Sequence, residues 1–147
     1  MHDLSIEQSL KLYVVLSKSY RAMNDKINKK IQTYGLNPTE FAVLELLYHK
    51  GRQPLQQIGG KILLASGSIT YVVDKLEKKK LLERVACPND RRVIYASITD
   101  DGIALMDDIF PKHAEYINDC FSAFSQKEKL ELTELLKKMG YAQLQQE

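Results

Sequence analysis

The chain has 147 residues, of which 44% are apolar, 27% are charged and 8% are aromatic, and its net charge is +2. This length and composition fit one globular domain. An apolar run of about 18 residues is absent, and so is a basic start followed by an apolar stretch, so neither a membrane-spanning nor a secreted protein is expected. Two widely separated cysteines, Cys87 and Cys120, favour a reduced, cytoplasmic setting.

The charge is distributed unevenly along the chain. Residues 61–92 carry 8 basic and 4 acidic side chains, whereas residues 93–147 carry 5 basic and 10 acidic ones. The total of +2 argues against a nucleic-acid binder when it is taken alone. Residues 1–34 contribute a net +3 and residues 35–60 a net charge of zero, so the total hides a basic middle and an acidic C-terminal third. The basic middle is a candidate surface for phosphate.

Two helices are predicted before the basic segment. Apolar residues at three- and four-residue steps indicate a long first helix that ends at Gly35, since glycine takes the left-handed conformation without strain. A second helix is predicted with Asn37 as N-cap, Pro38 at the first helical position and Glu40 at the third, which is the pattern of a capping box. Gly51 is predicted to end this helix, and residues 52–54 are interpreted as the break that follows it.

A helix-turn-helix is predicted next. Leu55, Ile58 and Ile62 lie at helical spacing and indicate a short third helix, which residues 66–68 interrupt. The fourth helix begins at Ile69 and has a polar outer face. Its inward positions are predicted to be Ile69, Val72, Val73 and Leu76. Two short helices joined by a tight turn that contains glycine form this motif.

A β-hairpin and two more helices complete the chain. Residues 82–86 and 93–98 alternate as strands do, and the loop between them, residues 87–92, contains two arginines. Thr99 is the predicted cap of a helix whose apolar face continues to Phe124. The last helix then begins with a capping box at residues 125–128. The predicted fold is mostly helical with a small β-hairpin wing.

Each part of a winged helix-turn-helix has a physical task on DNA. The major groove admits one α-helix, whose outward side chains meet base edges, and an arginine on a thin loop suits the minor groove. Asp90 is expected to pair with Arg92 and to orient it. The predicted DNA-binding residues are Ser66, Ser68, Thr70, Tyr71, Lys75, Lys78, Asp90, Arg91 and Arg92.

Three stretches resemble the MarR family of bacterial transcriptional regulators. Residues 63–84 are similar to its recognition-helix block, residues 88–92 to its wing, and residues 98–102 to the junction with its next helix. Two positions depart from the family pattern. Lys80 stands where a helix-ending glycine is usual, which costs on the order of 1 kcal/mol if the backbone is left-handed there. Ile98 replaces a leucine.

The resemblance implies a homodimer and a palindromic operator. One MarR-like domain would span residues 1–147, with a DNA-binding lobe at 36–99 and dimerisation helices at 1–34 and 100–147. The first and last helices support this, because they carry more apolar surface than one lobe needs. Two-fold symmetry places the half-sites about one helical turn, ~34 Å, apart on double-stranded DNA.

The resemblance also implies control by a small effector or by a thiol. Many members release DNA when an aromatic or phenolic compound binds, and we expect a repressor of the quinone- or phenol-responsive type, since the chain has eight tyrosines and residues 1–34 lack a cysteine. Aromatic walls with hydroxyl tips suit such ligands. The candidate ligand-binding residues are Tyr13, Tyr20, Tyr34, Phe41, Tyr48, His113 and Tyr116.

Two alternatives stay open within the same fold. Cys87 begins the wing loop near Arg84, Arg91 and Arg92, which would stabilise a thiolate, so a redox-responsive regulator is one alternative. Cys120 is interpreted as a buried small apolar residue. A winged helix that binds another protein is the second alternative, and its binding would show a flat salt dependence.

An enzyme is not predicted. The three histidines are scattered, and the sequence contains no zinc-protease motif, no nucleophile elbow and no phosphate-binding loop. We therefore expect no catalytic residues, no metal and no cofactor.

Overall fold

The computed structural model describes residues 3–62 and 68–145. The chain forms two compact units that divide between Lys112 and His113. The elements are α1 (Leu4–Gln32), α2 (Pro38–Lys50), β1 (Gln53–Pro54), α3 (Leu55–Ile58), α4 (Ile69–Lys78), β2 (Leu82–Ala86), β3 (Ile94–Ile98), α5 (Asp100–Cys120) and α6 (Gln126–Gln145). The mostly helical fold with a small wing is therefore confirmed.

The predicted start and end of α2 are confirmed. Helix α1 ends at Gln32, three residues before the predicted Gly35, which takes the left-handed conformation with φ +82°, and Gly51 ends α2 with φ +79°. The Asn37 side chain accepts a hydrogen bond from the Glu40 N–H at 2.8 Å, and the Glu40 carboxylate accepts one from the Asn37 N–H at 3.0 Å. Both halves of the capping box are thus formed, which fixes the first turn of α2.

The sheet has three strands, in the antiparallel order β1-β3-β2. Residues 52–54 were expected to be a break, and this is wrong for two of them, because Gln53 pairs with Ala96 and Pro54 with Tyr95. A strand of two residues is too short to show an alternating pattern. Proline is tolerated there because β1 lies at the edge of the sheet, where its missing N–H breaks no ladder.

Three other boundaries differ from the prediction. Helix α3 ends at Ile58, so Ile62 lies beyond it. Strand β3 begins at Ile94 rather than at residue 93, and α5 ends at Cys120 instead of continuing to Phe124. Residues 121–124 form turns, stabilised by backbone bonds such as the one from the Phe124 N–H to the Phe121 carbonyl at 3.0 Å.

One hydrophobic core underlies the helix-turn-helix and the sheet. Val72, Val73 and Leu76 point inward from α4, as predicted, whereas Ile69 is only half-buried. Burial of such side chains contributes roughly 1.5–3 kcal/mol each. The largest fully buried apolar side chains are Leu44, Leu47, Ile58, Leu76, Leu82, Met106, Val43 and Val73. This core holds α4 by its inner face and leaves its outer face to solvent.

The end of α4 contains the non-glycine left-handed residue that the sequence predicted. Lys80 has φ +64°. Its N–H donates to the Glu77 carbonyl at 2.9 Å, and the Leu81 N–H donates to the Leu76 carbonyl at 3.0 Å. These two bonds form a Schellman motif, which satisfies the last carbonyls of the helix. The chain therefore turns sharply from α4 into β2.

The unit that begins at His113 contains the end of α5 and all of α6. Ser125 and Glu128 form the predicted capping box, with bonds of 3.0 and 3.1 Å. A cavity of about 270 Å³ lies here, lined by Phe121, Phe124, Lys129, Leu132, Thr133 and Leu136. Among the helices described, none is long and apolar enough to cross a membrane.

Candidate nucleic-acid interface

The outer face of α4 exposes polar side chains in the order the sequence predicted. Thr70, Tyr71 and Lys78 are exposed, and Lys75 is half-buried. The Lys75 ammonium lies 5.7 Å from the centre of the Tyr71 ring, within the range of a cation–π interaction. We call these four residues the α4 face. Their spacing follows from the helical period, because Val72, Val73 and Leu76 occupy the opposite side.

Ser68 has a structural task at the start of α4. It is the N-cap, and its hydroxyl oxygen accepts a hydrogen bond from the Tyr71 N–H at 3.4 Å. The hydroxyl hydrogen remains available as a donor, so Ser68 suits a phosphate oxygen beside the helix N-terminus better than a base edge. Ser66, also predicted to bind DNA, lies outside the described residues.

The wing loop carries an arginine held by a carboxylate. The Arg92 guanidinium donates to both Asp90 oxygens, from Nε at 3.1 Å and from Nη2 at 3.2 Å. Hydrogen bonds from the side chain and then the backbone of Arg92 hold the pKa of Asp90 below its ordinary value. The predicted pairing of these two residues is therefore confirmed. Arg91 beside them is exposed as well.

Arg84 forms a contact that the sequence reading missed. Its guanidinium lies 2.6 Å from a carboxylate oxygen of Asp74 and 2.6 Å from one of Glu77, both on α4. The bond to Asp74, followed by the charge of Glu77, raises the Arg84 pKa against the opposing effect of burial. Two carboxylates three residues apart on one helix were the available signal. Arg84 thus joins α4 to the first strand of the hairpin.

This contact changes the environment expected for Cys87. Arg84 and Arg92 were expected to stabilise a thiolate, but each is bound to carboxylates instead. The Cys87 N–H donates to the Val93 carbonyl at 3.0 Å, which closes the base of the wing. Cys120 is half-buried rather than buried as expected, because it is the last residue of α5.

The wing is also fastened to the rest of its lobe at its base. The Gln56 amide donates to the Arg92 carbonyl at 3.4 Å, and the Arg52 guanidinium lies 4.6 Å from the centre of the Tyr95 ring. Neither contact was predicted, since both depend on β1 and α3 meeting β3. Arg84 thus connects the hairpin to α4, and these two contacts connect it to residues 52–56.

The predicted ligand residues fall into several groups. Tyr48 donates a hydrogen bond to Asp107, and this bond, more than burial, raises the Tyr48 pKa. The His49 ring lies 5.1 Å from the Tyr48 ring and 4.5 Å from the Phe110 ring, centre to centre. We call Tyr48, His49 and Phe110 the aromatic group. Of its members, only Tyr48 had been predicted.

The other candidates have different surroundings. Tyr34 and Phe41 are paired with ring centres 6.2 Å apart, and Phe41 belongs to the core. Tyr13 and Tyr20 are exposed on α1, where they are 71% and 61% accessible. His113 is buried, which lowers its pKa, and Tyr116 is half-buried. The side chains are thus distributed over core, surface and helix contacts, which helical spacing alone could not distinguish.

Comparison with known proteins places this geometry in a family. Residues 36–94 match the MarR family model. Over 134 residues the chain is 65% identical to the HTH-type transcriptional regulator MhqR of Bacillus subtilis (strain 168), covering 91% of this chain and 92% of that protein. The chain belongs to the MarR family. It is therefore a DNA-binding transcriptional regulator and not an enzyme.

Solved structures share the fold of this MarR-family chain. Sco3205 of Streptomyces coelicolor, a MarR family regulator solved in complex with DNA, has a TM-score of 0.82 at 18% identity and covers 97% of this chain and 91% of its own. BpsR of Bordetella bronchiseptica, whose DNA binding is regulated by 6-hydroxynicotinic acid, has a TM-score of 0.73 at 23% identity, over 88% and 98% of the two chains. The winged helix-turn-helix assignment is thus confirmed.

Proposed function

We propose that this MarR-family regulator is a homodimeric repressor that leaves a palindromic operator when a small aromatic or phenolic compound binds. The observation that carries the DNA half of the proposal is the α4 face together with the Asp90-held Arg92, both in the lobe of residues 36–99. That lobe supplies the DNA contacts. Residues 1–34 and 100–147 supply the dimer contacts.

Different parts of the lobe contact different parts of DNA. Thr70 and Tyr71, in the first turn of α4, reach base edges in the major groove. Lys75 and Lys78, farther along the helix, bind phosphates, as does the Ser68 hydroxyl. Arg92 enters the minor groove, with Arg91 beside it, because a narrow minor groove attracts a guanidinium. Asp90 holds Arg92 without itself contacting DNA.

The homodimer is supported by uncovered apolar surface on α1 and α6. Isolated apolar side chains are ordinary on a protein surface, but contiguous ones indicate an interface. On α1 the exposed apolar side chains are Leu4, Ile6, Leu10, Leu12, Tyr13, Val14, Val15 and Tyr20. On α6 they are Leu130, Leu135, Leu136, Met139, Tyr141 and Leu144. A second copy of the chain is a partner that supplies matching apolar side chains for each of these helices.

The aromatic effector is supported by the chemistry of the aromatic group. The rings of Tyr48, His49 and Phe110 offer apolar faces, and the Tyr48 hydroxyl with Asp107 offers a polar edge that can bind a phenolic hydroxyl. Tyr13, Tyr20, Tyr34, Phe41, His113 and Tyr116 remain candidates for further ligand contacts. BpsR is an example of the same fold responding to a hydroxylated aromatic compound.

Operator release tests the effector directly. Genomic fragments selected by the protein would provide the operator. Fluorescence anisotropy would then measure dissociation of the protein from this DNA when phenol, catechol or hydroquinone is added. Cyclohexanol is the non-aromatic control. We expect weaker operator binding with at least one aromatic compound in both the parent and Cys87→Ser. Unchanged operator binding with all three aromatic compounds would reject the proposed aromatic effector. Release of DNA by the parent but not by Cys87→Ser would favour the thiol mechanism.

A further inference from the structure

The Lys79 side chain is 39% exposed, yet its ammonium group contacts a buried carboxylate. Lys79 is the C-cap of α4 and lies between Lys78 and Lys80 in a run of three lysines. Its ammonium nitrogen Nζ is 2.8 Å from Oε2 of Glu40 and also donates to the Gly35 carbonyl at 3.5 Å. Lys79 therefore joins the end of α4 to the corner between α1 and α2.

Glu40 is a rigid partner for Lys79. It is 2% exposed, and its other oxygen, Oε1, accepts the capping hydrogen bond from the Asn37 N–H. Burial raises the Glu40 pKa, but the hydrogen bonds from Lys79 and Asn37 outweigh burial and leave it below its ordinary value. The carboxylate is therefore charged, fixed by the first turn of α2, and directed at α4.

The end of α4 is held from a second side by the start of α5. The Thr99 hydroxyl donates to the Lys80 carbonyl at 2.7 Å, and the Thr99 N–H donates to the Leu81 carbonyl at 3.1 Å. The same hydroxyl accepts from the Gly102 N–H at 3.0 Å, so it also caps α5. The last turn of α4 thus lies between the α1–α2 corner and the first turn of α5.

We propose that Lys79 and Glu40 are a positioning pair that fixes the angle of α4 against the α1–α2 corner, so that Lys79 acts on operator affinity without contacting DNA. The inference rests on the proposed placement of α4 in the major groove. A helix of ten residues that is free to tilt at its last turn moves its whole outer face. Bases read by Thr70 and Tyr71 require that face in one orientation.

The test separates a positioning lysine from a phosphate-binding one through the salt dependence of binding. Each neutralised phosphate contributes about 0.9 to the slope of log Kobs against log salt concentration. Lys79→Met keeps the apolar stem and removes the charge, and Lys78→Met is the matched control on the preceding residue of the α4 face. We expect Lys78→Met to reduce the magnitude of the slope by about one phosphate. Lys79→Met should lower operator affinity roughly 3- to 30-fold at an unchanged slope.

Glu40→Gln provides an independent variant that preserves the cap, because glutamine at the third helical position still accepts the Asn37 bond. Glu40 is buried and reaches DNA only through Lys79, so we expect the same loss at the same slope. The double variant should be no weaker than either single one, since both remove one interaction. Glu128→Gln, the same change in the exposed capping box of α6, should leave affinity unchanged.

Three results would overturn the inference. The first is a salt slope that falls in Lys79→Met as much as in Lys78→Met. The second is an operator affinity of Glu40→Gln equal to that of the parent. The third is a double variant whose loss of affinity is the product of the two single losses. Amide hydrogen exchange in α4 without DNA provides a further readout, and faster exchange is expected in Lys79→Met and Glu40→Gln than in Lys78→Met. An unchanged salt slope in Lys78→Met would instead contradict the proposed placement of α4 on DNA. Failure of the proposed function can therefore be distinguished from failure of the positioning role of Lys79.

Discussion

Arg92 and Asp90 form a two-point contact on the wing, with Nε 3.1 Å from Oδ1 and Nη2 3.2 Å from Oδ2. The Arg92 N–H also donates to Oδ1 at 3.0 Å, so the carboxylate holds both the backbone and the side chain. Even so, the Arg92 side chain is 90% exposed. A guanidinium that is oriented yet open to solvent loses less entropy when it enters a groove.

We predict that Arg92→Ala lowers operator affinity by roughly 5- to 150-fold, because it removes a groove contact. The salt slope should fall by about one phosphate equivalent if the guanidinium neutralises backbone charge. Arg92→Lys should retain the slope and recover only part of the affinity, since an ammonium lacks the planar fork. Fluorescence anisotropy over a salt series measures both quantities.

The control for Arg92 is Lys137→Ala, which removes one positive charge from the acidic C-terminal third and should leave affinity and slope unchanged. Parental affinity in Arg92→Ala would mean that the wing does not contact the operator.

Gly102 is predicted to tolerate no side chain. A Cβ at this position would lie 2.2 Å from the Leu81 carbonyl oxygen and 2.6 Å from Cγ1 of Ile98. Gly102→Ala should lower the free energy of unfolding by about 1–3 kcal/mol, measured by urea denaturation at fixed protomer concentration. Gly140→Ala, with open space around its site, should raise it by up to about 1 kcal/mol. Equal effects would contradict the close approach at Gly102.

Lys80 is predicted to be a strained position. Its φ of +64° is left-handed, so Lys80→Gly should raise the free energy of unfolding by about 1 kcal/mol. Lys78→Gly, two residues earlier at the last helical position of α4, should lower it by about the same amount. Urea denaturation of the two variants measures the difference, and a destabilised Lys80→Gly would contradict the left-handed conformation.

His113 is predicted to make stability fall on acidification. Burial lowers the His113 pKa below its ordinary value of 6.5, so the folded state stays neutral where the unfolded state binds a proton. Above pH 6.5 both states are neutral and the group contributes no pH dependence. Below it, the free energy of unfolding should fall with a slope of up to about 1.4 kcal/mol per pH unit, until the pH reaches the lowered pKa.

Urea denaturation between pH 7.5 and 5.5 tests the contribution of His113. His113→Gln should have a flatter pH profile than the parent. Identical profiles for the parent and His113→Gln would refute the prediction.

The sequence predicted the elements whose signals are local. Asn37 and Glu40 indicate the start of α2 because a capping box involves only four residues. The left-handed Lys80 was expected instead from the resemblance to the MarR family, in which a glycine usually ends this helix. The Asp90–Arg92 contact was accessible for the same reason, since its partners are two residues apart. Much of the winged lobe and its wing could therefore be predicted.

Contacts between distant elements could not be predicted in this way. Strand β1 is defined by its pairing with β3, more than 40 residues later, and its two residues carry no periodic pattern. Glu40 and Lys79 are 39 residues apart in sequence, and a run of three lysines gives no sign that the middle one contacts a buried carboxylate. The predicted ligand-binding tyrosines do not form one cluster. Residue type alone does not reveal which face of a helix is covered by other parts of the chain.

The placement of two α4 faces in successive major grooves is tested most directly by half-site spacing. Affinity would be measured for a selected palindromic operator and for a variant with 5 base pairs inserted between its half-sites. A dimer with fixed recognition helices needs centres about 10 base pairs, ~34 Å, apart. We predict that the insertion reduces affinity to the level of a single half-site, because it rotates one half-site to the opposite face of the duplex. Unchanged affinity would contradict two-fold binding through α4.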